Sequence, residues 1–151
     1  NQLSKFYVPA NAPLKTLDIR GNFFTLATMP DYLALGQGKF LYAPQNPLEI
    51  STDSPGIDLS EQYITKNGKV TQYKWKKSNN QVLAEGTDYT INNGSSKFKN
   101  TNTGRIYCEM THEAYPDFKG VNVFRTTYTT PIPMPTNVLA EFTTVNQTDS
   151  V

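Results

Sequence analysis

The sequence predicts a mainly β chain. Long helical periodicity is absent from its 151 residues. Short alternating runs recur instead, broken by Gly, Pro, Asn and Asp, a pattern that favours strands and tight turns. A third observation concerns the first residues, where Asn1-x-Leu3 recurs as Asn22-x-Phe24.

Between those two points lies Leu14-x-x-Leu17-x-Ile19-x-x-Asn22-x-Phe24. It matches the spacing of a leucine-rich repeat, a unit that buries its apolar face only against neighbouring copies. Leu14, Leu17 and Ile19 are expected to point inward, with Lys15, Thr16, Asp18 and Arg20 exposed. The Asn22 side-chain amide is expected to satisfy backbone groups where the chain turns out of its strand. Leu3-x-x-Phe6-x-Val8-x-x-Asn11 echoes the spacing on the returning side, punctuated by Pro9 and Pro13. The chain is thus expected to begin inside a solenoid.

Residues 26–47 are expected to break the repeat and cap it. Thr28-Met29-Pro30-Asp31 could open a helical turn that Gly36 and Gly38 end, and residues 39–44 read as one strand. Residues 48–128 form a second unit. Its strand-like runs are 48–51, 57–64, 71–77, 89–91, 96–99, 105–111 and 121–128, separated by turns such as Asn67-Gly68 and Asn92-Asn93-Gly94. Such spacing predicts an immunoglobulin-like, seven-stranded antiparallel β-sandwich. Trp75 falls on the third run, where such a sandwich buries a tryptophan, and Cys108 on the sixth. With one cysteine in the chain, Cys108 is expected to act as a small buried hydrophobe. Ile106 stands where the tyrosine of a tyrosine corner would be, two residues before Cys108. Residues 129–151 are a Pro- and Thr-rich linker, with Pro131, Pro133 and Pro135 at alternate positions, and 138–145 is an extra strand or the start of a further domain.

Composition narrows the function classes. A net charge of +1 gives no electrostatic case for nucleic acid. The denser cluster Lys74, Lys76 and Lys77 flanks Trp75, and alternate lysines on a strand read as a face turned to water. No apolar run approaches the length of a membrane span. A lone cysteine and a lone histidine exclude a multi-cysteine zinc site, and no H-E-x-x-H, P-loop or G-x-S-x-G is present. Cys108 and His112 would lie roughly 13 Å apart on a strand, too far to pair. Asp53, Asp58 and Glu61 lack the spacing of an EF-hand loop. The nine Tyr read first as strand packing and second as anchors for a binding surface. No catalytic, cofactor or metal residue is assigned.

The residues also resemble a known family. The run from Asn1 to Asn22 resembles the short leucine-rich repeats of Bacteroidetes surface proteins. Phe24-Thr25-Leu26-Ala27-Thr28-Met29-Pro30 and Tyr42-Ala43-Pro44-Gln45 resemble the cap that closes those solenoids. Tyr73-Lys74-Trp75-Lys76-Lys77, Gly86-Thr87-Asp88-Tyr89-Thr90 and Tyr107-Cys108-Glu109-Met110-Thr111 resemble the immunoglobulin-like module that follows. The resemblance implies a non-catalytic, secreted or lipid-anchored protein of the extracellular or outer-membrane surface. It would act in adhesion or ligand binding, as a monomer, on a host or bacterial surface protein or a glycan. Thr16, Asp18 and Arg20 would end its ligand surface. The alternative is an accessory carbohydrate-binding module of a larger surface enzyme.

Overall fold

Alternating runs pair edge to edge because strand backbones leave an N–H and a C=O at every residue that need partners. A computed structural model describes residues 2–5, 15–30, 38–51, 55–99 and 104–133. The described part is mainly β, with several antiparallel sheets and no α-helix. Expectations for Phe6, Val8, Asn11 and Leu14, for Asp31 and Gly36, and for residues 134–151 fall outside the described residues.

Strands β1 (Thr16–Asp18) and β2 (Lys39–Leu41) pair in parallel. Thr16 faces Lys39, Leu17 faces Phe40 and Asp18 faces Leu41, so each pair spans one coil of the chain. Between them lies a 3-10 turn over Leu26–Thr28, slightly earlier than the turn expected from Thr28. It stops because Met29 precedes Pro30 and takes the extended conformation, φ −57° and ψ 131°, that a residue before proline favours.

The remaining strands build two three-stranded antiparallel sheets. One has the order β10 (Phe124–Arg125), β9 (Ile106–Thr111), β6 (Gln72–Lys77), and the other β3 (Gly56–Asp58), β8 (Ser95–Phe98), β7 (Tyr89–Asn92). A separate small hairpin joins β4 (Thr65–Lys66) to β5 (Lys69–Val70). Its Asn67-Gly68 turn and the Asn93-Gly94 turn between β7 and β8 hold positive φ at both central residues, as two-residue hairpins require.

Some strand expectations are revised. The run 57–64 is extended only at its start. The Asp58 carboxylate accepts the Ser60 N–H at 2.9 Å and a 3-10 turn follows at Ser60–Gln62, because an Asp side chain competes with the ladder for nearby N–H groups. The run 48–51 contributes one parallel bridge, Leu48 to Thr126. On β9, Ile106, Tyr107 and Cys108 are all buried, so clean alternation fails on this central strand.

Trp75 joins the two sheets. Its ring meets Phe98 edge-on at 5.1 Å, and its indole N–H donates to the Ser96 hydroxyl at 2.9 Å. Cys108 is its cross-strand partner and is fully buried. Gly94 sits under the Tyr73 hydroxyl, which donates to the Leu59 carbonyl at 2.9 Å. A Cβ at Gly94 would lie 2.5 Å from that hydroxyl. The buried cluster runs without a break from Ile19 and Phe24 through Tyr42 to Trp75 and Phe124. Tyr42 forms the junction: its ring meets Tyr115 at 5.7 Å and Phe118 at 5.0 Å, and its hydroxyl accepts the Asp117 N–H at 2.8 Å.

Replacing Ser96 with Ala leaves the buried indole N–H without a partner and is expected to cost about 1–3 kcal/mol, read as a lower urea midpoint with unchanged slope. Gly94→Ala is expected to lower the midpoint further, because a steric clash adds to its positive φ of 91°.

Candidate functional site

The face proposed by the sequence is built on β1. Strand alternation turns Thr16 and Asp18 outward, and Arg20 follows them into solvent while Ile19 is buried. Leu17 is half-buried and packs against the core. The three candidate residues therefore share one exposed face, extended on β2 by exposed Lys39 and half-buried Leu41. Two of them engage each other. Arg20 donates Nε to one Asp18 oxygen at 2.9 Å and Nη2 to the other at 2.8 Å, and the Arg20 backbone N–H adds a bond of 3.1 Å. This two-pronged fork fits guanidinium geometry. It holds the Asp18 carboxyl at about 2, below its usual 3.8, first through the Arg20 side-chain hydrogen bond and then through the backbone bond. The charges thus present a fixed dipole rather than two free ions, and at this exposure they add little to stability.

Side-chain amides set the position of that face. Asn22 Oδ1 accepts the Leu3 N–H at 3.2 Å while Nδ2 donates to the Ile19 carbonyl at 3.0 Å. At the next level, Gln45 Oε1 accepts the Phe24 N–H at 3.0 Å. Its Nε2 donates to the carbonyls of Ile19 at 2.7 Å and Tyr42 at 2.6 Å. Gln45 follows Asn22 by the same step in sequence that separates Thr16 from its partner Lys39. Residues 26–47 thus hold a second parallel strand and a second buried amide.

A second surface lies on the outer face of the β10–β9–β6 sheet, a shallow groove of about 800 Å³. Lys74 is exposed, as expected. Lys76 is half-buried and pairs with Glu109 at 3.2 Å. Register sets Lys74 on one side of Glu109 and Arg125 on the other. Arg125 lies over the Tyr107 ring at 5.9 Å, Tyr107 meets Tyr128 at 5.2 Å, and Arg105 lies over Tyr128 at 4.9 Å. Tyr107 is covered by this stack and by its bond to Asn80 Oδ1 at 3.0 Å, which explains its burial on an outward-facing position.

The chemistry-bearing side chains elsewhere are engaged structurally. His112 is buried, with Nε2 3.1 Å from the Lys69 carbonyl and Nδ1 accepting the Ala114 N–H at 3.0 Å. Those partners call for a neutral ring with its proton on Nε2. Burial pushes the Cys108 thiol well above its ordinary range, far from thiolate character. Asp53 lies outside the described residues, and Asp58 binds Ser60. No group of metal-ligating side chains gathers among the described residues, and no helix among them is long and apolar enough to cross a membrane.

No family model, curated protein or solved structure matches the chain. The sequence reading missed Gln45, Glu109, Lys119 and Arg125. Gln45 lies 23 residues after Asn22, a step that only the β1–β2 register reveals, since Asn1 and Asn22 are 21 apart. Glu109 and Arg125 depend on cross-strand register and Lys119 on where the Gly120–Asn122 turn packs, neither of which leaves a local sequence signal.

The Asp18 fork predicts a titration. A lowered folded-state value means that the pair holds above 3.8 and is lost as pH falls through about 2. Carboxyl chemical shifts should report that midpoint, and Arg20→Ala should raise it part of the way toward 3.8, since the backbone bond from residue 20 remains, without changing the thermal transition appreciably.

Proposed function

We propose that residues 1–47 are the end of a leucine-rich-repeat solenoid with its cap and that residues 48–128 are an immunoglobulin-like sandwich. Residues 129–151 are a linker with an extra strand or the start of a further domain. On this reading the chain belongs to a non-catalytic protein of the extracellular or outer-membrane surface. It works as a monomer in adhesion or ligand binding, by recognition of a host or bacterial surface protein. The observation that carries the reading is the outward row Thr16, Asp18 and Arg20 on a parallel ladder whose turns are pinned by buried amides. A rigid row of mixed polar groups loses little conformational entropy on binding, and solenoids offer such rows as extended surfaces.

A second reading takes the sandwich as an accessory carbohydrate-binding module of a larger surface enzyme. The groove beside Tyr107 and Tyr128 favours it, since sandwiches host many functions and the site, not the fold, decides among them.

Adhesion of the chain to host-cell monolayers separates the two readings. Changing Thr16, Asp18 and Arg20 together to Ala is expected to weaken retention about tenfold or more, with the circular dichroism spectrum unchanged. Prior protease treatment of the cells should have the same effect. Full retention by the triple variant, or retention that survives protease and is lost on enzymatic removal of glycans, would overturn the protein-recognition reading.

A further inference from the structure

We propose that the outer face of the β10–β9–β6 sheet binds an anionic polysaccharide, one bearing carboxylate or sulfate groups, chiefly through Lys74, Lys119 and Arg125. The inference rests on the second reading above, that the sandwich takes a glycan. It adds the site and the charge of the ligand.

Charge imbalance comes first. The groove gathers Lys74, Lys76, Lys119 and Arg125 around a single carboxylate, Glu109, although the whole chain carries only +1. Lys76 takes Glu109 as its partner at 3.2 Å. Among the described residues no carboxylate pairs with Lys74, Lys119 or Arg125. Glu109 stands directly opposite both Lys74 and Arg125 and offsets part of their charge, but one carboxylate leaves the four cations in excess. The Tyr107 ring lies beneath Arg125, 5.9 Å from the guanidinium. That contact also fixes the guanidinium in the groove.

Geometry then selects the class of anion. Lys74 and Arg125 both stand opposite Glu109 on strands flanking β9, which sets their backbones about 10 Å apart across the sheet. Lys119 and the fully exposed Val121 lie at a 3-10 turn, Gly120–Asn122, that walls one side. A ligand must therefore present separated anions along an extended body. Polysaccharides with one acidic group per sugar or per pair of sugars do this, and their hydroxyls suit the Thr111 and Asn80 side chains on the groove wall. An acidic peptide adding as a strand needs a free edge, and both edge strands are already bridged, β10 by Leu48 and β6 by Val82 and Leu83. Single-stranded nucleic acid needs open aromatic faces for stacking. Tyr107 is buried, with Arg125 over its ring and Tyr128 edge-on. A bilayer surface does not follow a concave groove.

Affinity electrophoresis of the full chain through gels holding a polyuronate, a sulfated galactan or a neutral glucan tests the proposal. Retardation by at least one anionic gel, removed by roughly 1 M salt through screening, supports it. Lys74→Gln combined with Lys119→Gln should weaken that retardation about tenfold. Both residues are surface cations without ion partners among the described residues, so folding should be retained, checked by thermal unfolding. Glu109→Gln should strengthen it by removing the one repelling charge. The polyuronate and galactan gels tell carboxylate from sulfate recognition. Equal retardation of the double variant, or retardation by the glucan alone, would overturn the inference. The glucan result would leave the carbohydrate-binding reading standing, whereas no retardation by any of the three would remove both. Capture by acidic vesicles or polyglutamate in place of the glycans would also overturn it.

Discussion

The indole N–H of Trp75 imposes the constraint on which the two-sheet core depends. Burying a tryptophan gains a large apolar area, but its one polar atom must still find an acceptor. Ser96 supplies that acceptor from the opposite sheet. The need for it sets which strands face each other and in which register. Tyr73 makes the same demand and meets it at the Leu59 carbonyl. The Tyr42 hydroxyl is engaged the other way, accepting the Asp117 N–H, which ties the parallel ladder to the two sheets. Each link pairs hydrophobic burial, which is not directional, with one directional hydrogen bond. Among the described residues no buried side-chain polar atom lacks a partner, so these demands are met together.

The same logic governs the parallel ladder by other means. It is too small to bury much apolar surface by itself, and it leans on the shared aromatic cluster at Tyr42, Tyr115 and Phe118. Its turns are held by two amides, Asn22 and Gln45, each serving backbone groups above and below. Because amides rather than salt bridges do this, the geometry of the Thr16, Asp18 and Arg20 face should be insensitive to salt and to pH near neutrality. The charges that do titrate or screen lie outside, on the Asp18 fork and in the groove of the outer sheet.

The two candidate surfaces differ in electrostatic character. On the ladder, Asp18 and Arg20 neutralise each other, and the face offers shape and hydrogen bonds. On the outer sheet, cations exceed carboxylates, and the face offers charge. A protein partner with a fitted polar surface suits the first, and a repeating polyanion suits the second. The surfaces belong to different sheets, so one chain could engage both ligands.

Much of the fold was legible in residue order. The repeat spacing located β1, the buried Ile19 and the work of Asn22, because a short strand followed by a turn is a local pattern. Asn67-Gly68 and Asn93-Gly94 marked two hairpins, because positive φ is a property of those residue types. Trp75 and Cys108 were read as core from their places on the third and sixth strand-like runs, and both are fully buried. Other features are not local. The 57–64 run broke because Asp58 took the Ser60 N–H. Tyr107 was buried because Arg125 and Tyr128 close over it. Gln45 took an asparagine's place because a parallel strand one coil further along brought it to the same backbone groups. The outer groove belongs to this second group entirely: Lys74, Glu109 and Arg125 become neighbours only through the pairing of three strands. Sequence by itself determined the mainly β character, the Asn-Gly turns and the inward Ile19, Trp75 and Cys108, since those depend on residue type and short-range spacing. Tertiary structure alone decided which charges meet, because cross-strand register is set by how the buried aromatics fit together.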